Sequence, residues 1–211
     1  MGDVTREKLI QAILDAQLTD GSWNLSANNA DPDMTAMAIR ALAPYYKTNE
    51  TVKAAVDKAL EALSALQRND GGFGSWGTVN SESCAQVIVA LTALGIAPAT
   101  DSRFVKNGLT VLDALASFYV TGGFRHTAGG ELDGMATEQG YYALAAYYRF
   151  VNGQTRLYDM SDVTVQTGGS TVTPGASTPA TGDTGVLVWA IALPVAALAA
   201  AFVLKRKERE A

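Results

Sequence analysis

Several things are scarce or missing in this chain. Among 211 residues there is one cysteine, Cys84, and one histidine, His126. A single cysteine excludes an intrachain disulfide, and with it a disulfide-stapled scaffold. Positive charge is sparse. The net charge is -5, and no Lys/Arg cluster exists outside the last seven residues, KRKEREA. Nucleic-acid binding therefore has no electrostatic footprint. There is no Gly-rich phosphate loop, no dinucleotide fingerprint and no nucleophile–base constellation. The opening MGDVTREKLI has no cationic segment followed by an apolar run, so it is not a signal peptide.

What is present is unevenly spread. Residues 1–160 carry Leu and Ala at helical spacing and read as globular. Residues 161–185 are Thr, Gly, Ser and Pro with almost no large apolar side chain, too little to bury, and read as a flexible stalk. Residues 186–204, VLVWAIALPVAALAAAFVL, form an unbroken apolar run. It is close to the ~20 residues that a helix needs to cross a bilayer. Residues 205–211 are a basic tail. By the positive-inside bias that tail stays in the cytoplasm, which puts residues 1–185 outside. Export needs a signal that the N-terminus does not supply, so the expectation is the C-terminal part of a longer protein.

Near the end of the stalk stands Thr178-Pro179-Ala180-Thr181-Gly182. The order of pentapeptide, apolar run and basic tail resembles the LPxTG cell-wall sorting signals of Gram-positive surface proteins. The resemblance implies a sortase-type transpeptidase as partner, a cut between Thr181 and Gly182, and covalent attachment to the cell wall. Thr178 departs from the usual Leu, which bears on the sortase class.

The globular part repeats with a period of roughly 50 residues, the kind that marks stacked units. Its loops are Gln17-Leu18-Thr19-Asp20-Gly21-Ser22-Trp23, Gln67-Arg68-Asn69-Asp70-Gly71-Gly72-Phe73 and a degenerate Tyr119-Val120-Thr121-Gly122-Gly123-Phe124. Helices are expected before and after each loop. Val52, Val56, Leu60 and Leu63 recur at helical spacing before the second loop, as do Val105, Leu109, Leu112 and Leu115 before the third. The following helices, 34–42, 84–94 and 136–150, are more continuously apolar and read as the buried set. Three helical hairpins with Gln-Asp-Gly-aromatic loops resemble the α/α-toroid superfamily of terpenoid cyclases, protein prenyltransferases and cobalamin carriers. The nearest likeness is to bacterial surface proteins with prenyltransferase/squalene-oxidase repeats. The resemblance implies an all-α fold, three α-hairpin repeats forming part of a toroid, over residues 5–160. By analogy it also implies a corrinoid as one candidate ligand.

Candidate chemistry is thin. Asp31-Pro32-Asp33-Met34-Thr35-Ala36 resembles the acidic motif of squalene–hopene cyclases, which makes Asp33 a candidate proton donor. The plainer reading makes Asp31 an N-cap, Pro32 the first helical residue and Asp33 an ordinary carboxylate at a helix start. Glu82-Ser83-Cys84 resembles the zinc-ligand pair of prenyltransferases, but Met135-Ala136-Thr137-Glu138 stands where their His is expected. Glu82, Cys84 and His126 are the remaining metal candidates. A catalytic zinc needs three protein ligands, so no zinc is expected, and Cys84 reads as a small core residue. Trp76, His126, Tyr141 and Tyr142 are the candidates for ligand contact. The functional expectation is a non-catalytic, membrane- and wall-anchored surface module that binds a small ligand or a partner. The alternatives are an enzyme of the cyclase or prenyltransferase class, and a spacer that displays another domain.

Overall fold

Each α-helix among the described residues begins at a side chain that caps it. In the computed structural model, which describes residues 4–26 and 29–164, Thr5 accepts a hydrogen bond from Lys8 N at the start of α1 (Arg6–Asp15). Asp31, Asn49 and Asn80 do the same for Met34 N, Val52 N and Ser83 N. They open α2 (Pro32–Leu42), α3 (Glu50–Leu66) and α4 (Ser81–Ala93). Thr110 and Asp113 form a reciprocal capping box on α5 (Val111–Ser117), and Asp133 caps α6 (Gly134–Val151). Each cap satisfies a backbone N–H that the helix itself leaves without a partner.

Residues Met1–Met160 make up one compact unit. Inside it α4 lies between α2 and α6, α3 backs α2, and α5 backs α4. Central position explains the burial of α4, where every residue from Ser81 to Thr92 except Gln86 is buried. The flanking α2 and α6 are buried on one side only, and Met37, Met135, Tyr148 and Val151 are exposed.

The all-α expectation is corrected by the loops. Among the described residues helix makes up about 52% and strand 9%, in three small antiparallel sheets. β1 (Gly74–Ser75) pairs with β2 (Thr78–Val79), and β3 (Val105–Lys106) with β4 (Leu109–Thr110). β5 (Tyr119–Val120), β6 (Gly123–Arg125) and β7 (Leu132–Asp133) form the third sheet. Val105 and Leu109 thus belong to a hairpin, not to the helix that their spacing predicts. The cause is Asn107-Gly108, whose φ values of 52° and 79° suit a two-residue hairpin turn and oppose a helix. Among the described residues no helix is long and apolar enough to cross a membrane. The expected span at 186–204, the sorting motif at 178–182, the tail, and the stalk from 165 onward lie outside the described residues.

The repeat loops bind each unit to the next. Gln17 Nε2 donates to Gly21 O of its own loop and to Ala55 O of α3, both at 2.8 Å. Gln67 Nε2 repeats this with Gly71 O at 2.9 Å and Phe104 O at 3.0 Å. The loop glycine must be small for the same reason: a Cβ on Gly71 would lie 2.4 Å from Thr110 O, and its φ is 79°. The third loop has Phe118 in place of the glutamine. Its backbone closes instead as the β5–β6 hairpin, with Arg125 N donating to Phe118 O at 3.0 Å.

Candidate functional site

Counting from the N-caps Asp31, Asn80 and Asp133 gives the three inner helices a common frame. Four residues on stand Thr35, Cys84 and Thr137, and all three meet the backbone of the loop aromatic. Thr35 Oγ1 accepts from Trp23 N at 3.0 Å, and Thr137 Oγ1 from Phe124 N at 2.9 Å. The amide of Phe73 bonds the sulfur of Cys84 in the same way. Burial nevertheless pushes the Cys84 thiol up to about 12. Cys84 is therefore the repeat's loop-anchoring residue in sulfur form, fully buried and held as the neutral thiol.

Two and six residues after the same caps stand Asp33 and Met37, Glu82 and Gln86, and Met135 and Gln139. An i, i+4 pair shares one helix face, so three parallel faces line one groove. With Ser75, Trp76, Thr78, Asn80 and His126 they line an open cavity of about 470 Å³. The structure thus brings together Asp33, Glu82, Trp76 and His126. Gln86, Gln139, Met37 and Ser75 carry no motif and were not among the sequence candidates. Counting i, i+4 steps from the caps is the signal that could have found them.

The two carboxylates that line the groove, Asp33 and Glu82, and their neighbour Asp31 differ in partnering. Asp31 Oδ1 accepts from Met34 N at 2.8 Å, and Asp31 Oδ2 accepts from the Ser75 hydroxyl. Glu82 receives Ser81 Oγ at 2.9 Å and meets His126 Nδ1 at 2.9 Å from both carboxyl oxygens. The backbone fixes this pair further, because Ser81 N donates to His126 O at 3.1 Å. Asp33 lacks such support. Its Oδ1 is buried and has no close hydrogen bond, and the buried Ser83 hydroxyl beside it is the one donor within reach of the carboxyl. Burial pushes the Asp33 carboxyl up to about 6, Ser83 nearby opposes the rise, and the charges of Asp31 and Glu82 add to it. Asp31 is thus the cap of α2, and Asp33, in the first turn of that helix, lines the groove with its carboxyl raised by burial.

Trp76 stands over this cavity and is 82% exposed. It forms the β1–β2 turn with Gly77, at φ values of 52° and 79°. A turn with both central residues at positive φ favours Asn-Gly, and a bulky aromatic there is an outlier.

The two tyrosine candidates lie elsewhere. Tyr142 does not line the cavity but is linked to it. Its hydroxyl receives Arg40 Nη1, Arg40 Nη1 also donates to Gln86 Oε1 at 2.9 Å, and Gln86 Nε2 donates to Gln139 Oε1 at 2.9 Å. The Tyr142 hydroxyl also meets that of Tyr158 at 2.7 Å, and Arg40 lies over the Tyr158 ring at 4.9 Å. Tyr141 packs edge-on against Phe124, with ring centroids 5.7 Å apart, as part of the third loop's anchor.

Among the described residues no group of three His, Cys, Asp or Glu side chains is placed to hold a metal ion. Glu82 and His126 do come together, but Cys84 points to the Phe73 backbone on the loop side. A second depression of about 480 Å³ lies at the other ends of the inner helices, lined by Ala43, Thr92, Gly95, Arg156 and others. It holds neither an exposed tryptophan nor an unpartnered acid, so the chemistry favours the first groove. No protein-family model matches this chain, and no curated protein is significantly similar to it.

Proposed function

We propose that residues 5–160 are a non-catalytic binding module displayed at the cell surface, and that the groove beneath Trp76 receives a small ligand or a side chain of a partner. One observation carries the reading. A large aromatic side chain is held out at the rim of a cavity lined by methionines, amides and acids, on a backbone that favours Asn. Exposed aromatics beside a concave site with a few convergent polar groups are what recognition uses. A cavity of about 470 Å³ suits a small ligand better than a corrinoid macrocycle.

Surface display is supported by the sequence alone, through the likeness of Thr178–Gly182 to a sorting signal ahead of an apolar run and a basic tail. Thr181→Ala should shift the protein from the wall fraction to the membrane fraction. Undiminished wall attachment in that variant would refute sortase anchoring.

An acid-catalysed enzyme is the second reading, since Asp33 holds its proton up to about pH 6. Two features count against it. A raised pKa makes Asp33 a weaker donor, whereas protonating an alkene needs a strong one. The groove is also open and lined by Asn, Gln, Glu and His, which does not exclude water from a carbocation.

The binding reading is tested by ligand-observed NMR of the full chain in detergent against a small-molecule collection. Hits should bind the native protein and fail to bind Trp76→Asn, a variant that keeps the turn. If every hit binds both proteins equally, the groove is not the site. Product formed from polyprenyl substrates, and abolished by Asp33→Asn, would decide for the enzyme.

A further inference from the structure

The helices pack by a rule. The inner helices α2, α4 and α6 lie side by side, and each outer helix is laid on the inner helix that precedes it in the chain, α3 on α2 and α5 on α4. Along the whole unit this rule leaves two helices without a partner among the described residues. α1 is an outer helix with no inner helix beneath it, and α6 is an inner helix with no outer helix upon it.

Their side chains record what is uncovered. Ala59, Leu60 and Leu63 of α3 stand eight, seven and four residues before Gln67, and all three are fully buried. The same counts before Gln17 reach Leu9, Ile10 and Ile13 of α1. Leu9 is 55% exposed, the two isoleucines are half-buried, and α1 has no buried residue at all. α6 shows the converse. Five, eight and eleven residues after their caps, α2 has Ala36, Ile39 and Leu42, and α4 has Ala85, Ile88 and Leu91, each at most 1% exposed. At those counts α6 has Glu138, exposed, and Tyr141 and Leu144, half-buried. Tyr148 continues the stripe and is 38% exposed. Repeat units bury such stripes against their neighbours. α1 fits the outward face of an inner helix, and α6 fits an outer helix. A second copy of this chain offers both.

We propose that copies of this chain associate head to tail, with α1 of one molecule seated on α6 of the next, so that the joint which α3 makes on α2 and α5 makes on α4 continues between molecules. The contact joins two different surfaces, unlike a two-fold pairing of like surfaces. It is weaker than the joints inside the chain, for two reasons. Those joints also hold a loop glutamine, Gln17 donating to Ala55 O and Gln67 to Phe104 O, whereas the third loop has Phe118 in that place. Glu138 also stands where α2 and α4 have alanine. Association is therefore reversible, and it does not depend on the groove beneath Trp76.

The mass of the full chain in density-matched detergent is measured by analytical ultracentrifugation from about 1 to about 500 µM, a range that covers small reversible interfaces. The average mass should rise with concentration above that of one chain. Leu9→Glu spoils α1 and Tyr148→Glu spoils α6, and each alone should give single chains throughout. Both positions are exposed, and unchanged circular dichroism confirms the fold. Mixed in equal amounts, each variant still carries the edge that the other has lost, so association should return and stop at two chains. Glu138→Ala, which restores the residue of α2 and α4, should tighten self-association severalfold. A native chain that stays single at the highest concentration would overturn the proposal. So would association that survives both substitutions, which lies outside these helices. Association lost in Leu9→Glu and kept in Tyr148→Glu would overturn it in favour of a two-fold contact between α1 helices, and a mixture that stays monomeric would overturn the head-to-tail joint.

Discussion

Two hairpins of this protein have the same turn and opposite uses. Ser75–Thr78 and Lys106–Leu109 are both closed by two residues at φ values of 52° and 79°. In one the residues are Asn107-Gly108, the pair that this backbone prefers. In the other they are Trp76-Gly77, and the tryptophan buries almost nothing. The Asn-Gly turn is explained by the stability of the fold. The Trp-Gly turn is not, and its side chain stands over the acidic groove. The same division runs along the inner helices. Four residues after each cap, Thr35, Cys84 and Thr137 bond the loops. Two residues after the caps of α2 and α4, the acids face the groove, and Asp33 has an oxygen with no close hydrogen bond. Substitutions on the loop side should therefore destabilise, and some on the groove side should stabilise.

The largest effect is expected at Gln67. Its amide nitrogen serves Gly71 O and Phe104 O in a buried setting, and truncation strands both carbonyls. Gln67→Ala should cost about 2–4 kcal/mol in chemical denaturation. A loss near zero would mean that the loop–loop clamp adds nothing to stability.

Asp33 should show the opposite sign. Its carboxyl holds a proton more tightly in the folded state, at about 6 against an ordinary 3.8. Stability is therefore lost as the pH rises from about 4 to about 6, and the loss is complete above that window. Asp33→Asn should raise stability at pH 7 by on the order of 1–3 kcal/mol and change it little below about pH 4. A destabilised variant at pH 7 would mean that Asp33 acts mainly as a helix-start carboxylate favoured by the dipole.

Trp76→Asn tests the turn comparison directly. It should stabilise by about 1 kcal/mol, and the reciprocal Asn107→Trp should destabilise by a similar amount. Equal responses of the two turns would remove the argument that Trp76 is held there for recognition. The smallest effect belongs to Cys84. Cys84→Thr, which copies Thr35 and Thr137, should stay within about 1 kcal/mol of the native protein. Cys84→Val, which leaves the Phe73 N–H without an acceptor, should cost about 1–3 kcal/mol.

Much of the scaffold was legible before any coordinates. Helix starts could be read because capping is a local exchange between a side chain and an N–H three residues away. Asp31-Pro32 announced one such start, and the Gln-Asp-Gly-aromatic spacing announced the repeated loops. The strands were missed because they are two or three residues long, too short for a period of two to register. Val105 and Leu109 mimicked a helix by their spacing alone, although Asn107-Gly108 between them argued for a turn. Trp76 and His126 were singled out as free aromatics beside the glycines, but nothing in the sequence said that they face Asp33 and Glu82.

Sequence alone therefore determined the caps, the loop glycines and the alternation of helix and loop, because each depends on atoms a few bonds apart. Tertiary structure decided what the acids become. Glu82 and His126 are 44 residues apart in the chain and 2.9 Å apart in space, and Asp33 is raised by burial and by its neighbours Asp31 and Glu82. A carboxyl's proton affinity is set by the dielectric and the charges around it, and those exist only once α2, α4 and the third loop have closed on one another.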